Sequence, residues 1–356
     1  MHHEAGPGPL YHTRIARKNS EFEAVFRFRY EHFFHCFSDG YPGLDRAGAR
    51  VFEKHDTTST HFCAFDSAGR LCAVSTATPA TAPDRPEGWN RWLLLGTLAP
   101  TGEDNIIVST RMVVHPEHRG HGLYRQFYRF IMKSYLEAGF RCALHYCSPA
   151  FLSRYQNLGH QFYGEAFIMT TGLLRIPMLM DFCDTEILRR VGSPILDLCS
   201  AHGCRSAPLR STLPGLPFQP DFSLLSPEER LEYIWARIGK EKVPAPEQLL
   251  PLLEHASPLH LGAGLSHAAP PGGELFCLVL RGAIQDRGAD RPAGPGSFVG
   301  SGLAGVAGEP SFTVVEDSEV LTFDQKLIQA AIKLGPDPAG HGPWQALHRA
   351  SLGHYG

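Results

Sequence analysis

Val113-Val114-His115-Pro116-Glu117-His118-Arg119-Gly120-His121-Gly122-Leu123-Tyr124 is the stretch on which the reading of this 356-residue chain turns. The apolar, β-branched run from Asn105 to His115 (Ile106, Ile107, Val108, Val113, Val114) predicts a strand, and the glycines behind it predict a turn. Leu123, Phe127, Phe130, Ile131 and Ala138 then recur at helical spacing, so the turn opens a helix. In such a unit the first helical N–H groups lack partners and the helix dipole adds positive charge, which suits an anionic phosphate. Glycine lets the backbone approach that ligand. Alone, a Gly-x-Gly turn is equally a tight connection that binds nothing.

Working outward, Ser20 with Glu23 reads as a capping box opening an amphipathic helix through Tyr30. Two short apolar runs from His61 to Val74 around a Gly-containing turn read as a β-hairpin. Cys142 to Tyr146 reads as a further strand, and Ser148-Pro149 as the start of a short helix ending near Gly159. Arg175 to Cys199 reads as largely helical, and the Pro- and Gly-bearing segment Ala201 to Asp221 as a linker. Ser226-Pro227-Glu228-Glu229 carries a second capping box, for a helix to about Ile238. From Leu259 onward short strands alternate with Gly/Pro turns, before a last helix near Gln325 to Leu334. The expected fold class is α/β of the α+β kind, a mixed central sheet flanked by helices followed by a small β-roll with helices. The expected domains are 10–180, a helical extension and linker at 181–222, a second domain at 223–340 and a tail at 341–356. No internal repeat of 20–50 residues is visible.

Lys and Arg number 33 against 36 Asp and Glu, a net charge of −3 that argues against a general nucleic-acid binder. The 43% hydrophobic content is enough for packed cores and argues against disorder. No apolar run reaches the ~18–20 residues of a membrane span. Met1 to Pro7 shows no basic region leading into an apolar segment, so no secretory leader is expected. Nine scattered cysteines suit a reduced, cytoplasmic chain better than a disulfide framework. Cys199-Ser200-Ala201-His202-Gly203-Cys204 invites a zinc reading, but no convincing partner pair completes four ligands, and no metal is expected.

The order strand, Arg-Gly-His-Gly, amphipathic helix, strand and Tyr155-Gln156-Asn157-Leu158-Gly159-His160 resembles the GNAT superfamily of acyl-thioester-dependent transferases. That family's R-x-x-G-x-G/A signature falls on Arg119, Gly122 and Tyr124, and its Y-x-x-x-G-F signature on Tyr155, Gly159 and His160. Tyr124 replaces a small residue and His160 a Phe; the bulky ring favours a phosphopantetheine arm on acyl carrier protein over free coenzyme A. Arg29-Tyr30-Glu31-His32-Phe33 and Glu53-Lys54-His55-Asp56-Thr57-Thr58-Ser59-Thr60-His61 resemble the pattern of long-chain N-acyl amino acid synthases and exosortase-associated acyltransferases, and more distantly of acyl-homoserine lactone synthases. Val108 stands where lactone synthases tend to carry an acid, and Thr76 or its neighbour where they tend to carry an Arg, so lactone synthesis is the weaker member. The resemblance covers roughly residues 12–180.

It implies an acyl donor, acyl-CoA or acyl-phosphopantetheine, as cosubstrate with no resident cofactor, held by Val113, Val114, Arg119, Gly120, His121, Gly122, Leu123 and Tyr124. Tyr155 falls where relatives place the acid that protonates the departing sulfur, and a phenol pKa of ~10 suits that task. Glu53 and Asp56, three apart, are expected close together, to take the amine's proton, bind an ammonium, or lie solvated; His55 or His61 is an alternative base. Arg29, Arg111 and Ser109 are candidates for the acceptor, a guanidinium pairing with a carboxylate, or surface ion pairs. The aromatics Phe22, Phe26, Phe28, Phe33, Phe34 and Phe37 line an acyl tunnel or a core.

Residues 259–333 resemble the cyclic-nucleotide-binding β-roll, through Glu274 to Gly282, Gly294 to Gly300 and Thr313 to Val315. Ser301 and Ser311 stand where that family's ribose-binding Glu and phosphate-binding Arg belong, which implies a degenerate sensor serving docking or oligomerisation. The function expected is an N-acyltransferase joining an acyl group to an amino acid or other small amine, with acyl carrier protein as partner and peripheral membrane contact through a lipid product. The alternatives are a cyclic-nucleotide-gated protein lysine acetyltransferase, a lactone-type signal synthase and a non-catalytic scaffold.

Overall fold

A computed structural model describes residues 11–33, 41, 43–120, 122–169, 173–204, 206–213, 215–216, 218, 222–268, 276–286, 289–300, 311–334 and 347. His121, Phe34, Phe37, Glu274, Leu275, Ser301 and most of the expected tail lie outside those residues. By contacts the chain forms two compact units: the first holds the residues up to 145 with 179–188 and 194–216, the second holds 146–178, 189–193 and 217 onward.

The chain begins with β1 (His12–Ile15), α1 (Asn19–Phe33), β2 (Leu44–Asp45), β3 (Arg50–Val51), β4 (Thr60–Phe65) and β5 (Leu71–Pro79). There follow α2 (Gly88–Trp92), α3 (Leu95–Leu98), β6 (Ile106–Val114), α4 (Leu123–Glu137) and β7 (Cys142–Cys147). Next are α5 (Leu152–Gln156), β8 (Gln161–Phe162), β9 (Phe167–Ile168), β10 (Leu174–Asp181), α6 (Thr185–Arg190), α7 (Leu196–His202) and α8 (Leu209–Thr212). The rest comprises α9 (Pro227–Ile238), α10 (Pro246–Leu253), β11 (Ala256–Leu261), β12 (Ser266–Ala268), β13 (Cys277–Asp286), β14 (Phe298–Val299), β15 (Ser311–Phe323) and α11 (Gln325–Leu334).

The larger sheet is mixed, in the order β1-β4-β5-β6-β7-β10-β8, with β9 on β10. Its first four strands pair antiparallel in turn. β6 and β7, joined through α4, run parallel, and their register covers only Ile106–Val108 against Cys142–Leu144 although β6 continues to Val114. α4 buries Leu123, Phe127, Tyr128, Ile131, Met132, Tyr135 and Leu136; of the expected stripe Leu123, Phe127 and Ile131 are buried, Phe130 is half-buried, and Ala138 is exposed at the C-cap. α1 contributes Val25, Phe26 and Phe28 to a core with Ala16, Cys63, Val74 and Val113. These aromatics are therefore packing residues of the first unit.

In the second unit β15 is the spine, pairing with β11 and β12 on one side and with β13 on the other. Alternate residues of β13 serve two cores. Leu278 and Leu280 join Leu321, Phe323 and the apolar faces of α9, α10 and α11, whereas Cys277 and Val279 join Val320 with Leu152, Phe162, Leu174, Ile176 and Met178. A sheet covered on both faces needs a partner for each, and residues 147–178 supply the second.

Several local expectations are met: the 61–74 hairpin, the capping box of Ser226 with Glu229, and the last helix. Three are corrected. α1 starts at Asn19 and Glu21, not Glu23, closes its N-terminus, accepting the amides of Arg17 and Lys18. Leu174 to Asp181 is a strand buried at every position, because an apolar run without alternation fits a buried strand as well as a helix. Cys183 and Cys204 form a disulfide, while the other six described cysteines are buried thiols. The all-reduced expectation thus fails at one pair, and Cys204 is not a zinc ligand.

Two glycines with the same backbone sign separate strain from crowding. Gly69 (φ +78°) faces open space, whereas a Cβ on Gly282 (φ +77°) would strike the Asp317 carbonyl oxygen and Ser318. Gly69→Ala should cost about 1–2 kcal/mol, the price of left-handed backbone, and Gly282→Ala should exceed it by about 1–3 kcal/mol. Urea unfolding of the two variants beside the wild type checks the order.

Candidate functional site

The loop before β4 delivers the acids. Lys54–Thr58 forms one 3₁₀ turn that Glu53 and Asp56 close reciprocally, and the Glu53 N–H donates to Asp56 Oδ2 at 2.8 Å. Spacing of three thus brings the two together, as expected. From α1, the fully buried Arg29 gives Nη1 to both Asp56 oxygens at 3.0 Å. Its Nη2 donates to Thr76 Oγ1 and to His61 Nδ1, the latter at 3.1 Å.

Arg111 reaches the same carboxylate from β6. Between Val74/Val113 and Thr76/Thr110 the register slips by one residue, and Arg111 sits in the extra position with φ +53°. That bulge re-aims the side chain. Arg111 Nη1 donates to Asp56 Oδ1 at 3.2 Å, and Nη2 pairs with Glu53 Oε1 and faces His55 Nε2 at 3.4 Å. Tyr41 donates its hydroxyl to Glu53 Oε1 at 2.8 Å, and Trp89 packs edge-on against His55.

Two guanidinium groups and two carboxylates leave this cluster formally neutral. Burial opposes charge on Asp56, yet Arg111 and Arg29 hold its carboxyl below the ordinary range. Burial and then Arg29 push His61 down to about 4, and burial and then Arg111 push His55 down as well. Neutral His61 uses Nδ1 to accept from Arg29 and Nε2–H to donate to the Asp56 carbonyl at 3.1 Å. Asp56 and Arg29 side chains expose 0% of their surface, and Arg111 6%; Glu53 exposes 18%. Glu53 is accordingly the acid with an open side, and Asp56 and Arg29 are internal to the frame. Ser109 stands apart, its Oγ accepting from Tyr135 of α4 at 3.1 Å.

The glycine turn is built by backbone. Val113 is buried in the α1 core, Leu123 is fully buried, and the Val114 carbonyl accepts from Arg119 Nε at 3.1 Å. Gly120 (φ +86°) and Gly122 (φ +77°) each leave open space where a Cβ would stand. Gly122 is the N-cap of α4 and, lacking a side chain, makes no cap bond of its own. The Tyr124 ring lies stacked on Tyr128 one turn along α4, at 6.1 Å, and so runs along the helix instead of across the turn. Tyr155 belongs to the second unit, half-buried on α5 against Leu152 and Phe162, its ring edge-on to His160 at 5.3 Å.

Tyr41 and Trp89 join the acidic and basic cluster without any sequence signal, and Thr76, noted only through the lactone-synthase resemblance, joins it as the partner of Arg29. They lie 12 to 70 residues from the groups they meet, and no spacing rule spans that distance.

No protein-family model matches the chain, and no curated protein matches it by sequence. Among solved structures it is similar to FeeM, an N-acyl amino acid synthase from uncultured soil microbes (15% identity, 53% of this chain and 98% of that one, TM-score 0.40). It is also similar to BjaI, a CoA-dependent acyl-homoserine lactone synthase (17% identity, 55% and 99%, TM-score 0.39). A third is a GCN5-related N-acetyltransferase from Kribbella flavida (15% identity, 48% and 97%, TM-score 0.33).

Removing one partner from a buried ion pair strands the other, so Asp56→Asn should cost about 3–5 kcal/mol at pH 7 in urea unfolding. Because unfolded His61 binds a proton near pH 6.5 and the folded side chain only near 4, the unfolded state holds more protons between those values. Stability should therefore fall as pH drops from 6.5 toward 4, and His61→Gln should flatten that slope. The Asp56 contribution, present above its unfolded value of ~3.9, should disappear only at still lower pH.

Proposed function

We propose that this chain is an N-acyltransferase that moves an acyl group, of long-chain type, from a thioester on acyl carrier protein or coenzyme A to the amine of an amino acid or similar small amine. The observation that carries this reading is the pairing of β6 with β7, which stops at Val108 while β6 runs on to Val114, ahead of the glycine turn that opens α4. A strand edge released there offers backbone groups to the amides of a pantetheine arm, and the turn offers N–H groups to its phosphate. Tyr124 and Leu123 would shape that turn by packing along α4, and Gly120 and Gly122 by leaving it clear.

On the acceptor side, a carboxylate entering beside Arg111 would compete with Glu53 for its guanidinium. Glu53, so released, would take a proton from the ammonium. The free amine attacks the thioester carbonyl carbon, the C–N bond forms and the C–S bond breaks. The nitrogen's remaining surplus proton passes to solvent, and a general acid, the role that the resemblance gives Tyr155, protonates the departing thiolate. Asp56 and Arg29 act through position, holding Arg111 and the acid-bearing turn. Val108, fully buried against Leu144, and Thr76, bonded to Arg29, add no charge for a cationic acceptor, which weighs against lactone synthesis. The C-terminal β-roll is assigned to docking or oligomerisation as a degenerate cyclic-nucleotide-binding fold; calorimetric heat with cyclic AMP or cyclic GMP would argue for gating instead.

Purified protein incubated with acyl-carrier-protein and coenzyme A thioesters and a panel of amino acids should yield an amide by mass spectrometry. Glu53→Gln and Tyr155→Phe should each lower kcat by about 10²-fold or more. No amide from any pair would overturn the reading.

A further inference from the structure

Asp66, at the end of the β4 segment, Cys72 on β5 and His118 behind β6 meet in the first unit, away from the arginine cluster. One ligand atom from each lies within 4.8 Å of the other two. Cys72 Sγ and His118 Nε2 stand 3.2 Å apart. Asp66 and Cys72 are buried and His118 is half-buried.

The arrangement has the supports that ligand side chains need. Tyr11, itself buried, faces His118 Nδ1 at 3.2 Å with its ring edge-on, which orients the imidazole so that Nε2 points at the thiol. A metal-binding histidine is ordinarily fixed through its other nitrogen in this way. Asp66 Oδ1 accepts the amides of Ala68 and Arg70 at 3.0 and 2.8 Å, so the carboxylate cannot turn away. Oδ2, among the described residues, accepts only from Arg70 Nε, at 2.7 Å, and that arginine side chain is 69% exposed. A surface pair of this kind is exchanged at small cost.

We propose that Asp66, Cys72 and His118 form a binding site for a borderline-soft divalent metal ion, zinc above all, with a fourth position left to water. One sulfur, one imidazole nitrogen and one carboxylate oxygen suit zinc and not magnesium or calcium. Zinc bonds of about 2.3 Å to sulfur and about 2.0–2.1 Å to nitrogen, at a tetrahedral angle, set the two ligands about 3.5 Å apart, so the present pair need open by only a few tenths of an ångström. On binding, the ion replaces the Cys72 thiol proton, which leaves to water, and Arg70 yields Oδ2 and turns to solvent. Thiolate and carboxylate then balance the ion's two charges with imidazole neutral, which is what a buried site requires. The ion would tie the β4–β5 hairpin to the turn that carries Arg119 and Gly120. The proposal does not depend on the acyltransferase reading.

The test uses the full chain, freed of metal by chelator and titrated with cobalt(II) chloride alone, without reductant, so that Cys183 and Cys204 stay paired. A thiolate-to-cobalt charge-transfer band saturating at one ion per chain, displaced by zinc chloride, is expected. Cys72→Ser and His118→Gln should abolish it, Tyr11→Phe should weaken affinity about tenfold, and Cys63→Ser, altering a buried thiol outside the trio, should leave it. His118 is half-exposed, and circular dichroism shows whether each variant is folded. No such band in the wild type, a band unchanged in folded His118→Gln, or one lost with Cys63→Ser would each overturn the proposal.

Discussion

A single buried carboxylate, Asp56, held between two guanidinium groups, is the constraint around which the first unit is organised. Arg29 comes from α1, Arg111 from β6, and Thr76 and His61 from the hairpin between them, so one charge fixes four elements. Such a cluster adds little net stability over an apolar one of equal volume, because desolvation offsets attraction. Its value lies in geometry: no partner can move without leaving a charge stranded. The outcome is that Glu53, at the open side, is presented in one orientation while its neighbours absorb the cost of burying charge.

Backbone conformation, more than side chains, shapes β6 and the glycine turn. Arg111 occupies left-handed backbone that costs about 1–2 kcal/mol in an L-residue, and the ion pairs it gains offset this. The same bulge bends β6 where its pairing to β7 has ended. Gly120 and Gly122 then carry the chain through positive φ to the start of α4, where any side chain would stand in space that is now clear.

The second unit follows a different logic. Its β13 alternates between two cores from Cys277 to Leu280, and residues 147–178 belong to it by packing although they precede it in sequence. Arg237 and Tyr233 of α9 converge on buried Glu319 of β15 in the same manner as the arginines on Asp56, pinning helix to sheet with one charge.

What the sequence alone determined was local. The strand–turn–helix from Val113 to Tyr124, the 61–74 hairpin, the Ser226 capping box and the last helix depend on periodicity, glycine and capping over a few residues, and such signals survive in one dimension. Folding decided the rest. Leu174–Asp181 became a strand because both its faces found cover, and Cys183 met Cys204 because β10 and α7 end side by side. Glu53 and Asp56 were legible as neighbours but not in their different exposure, which Arg29 and Arg111 impose from 27 and 55 residues away. Asp66, Cys72 and His118 carried no shared pattern at all. Contacts at such separations are set by how sheets and helices close on one another, and only the closed chain contains that information.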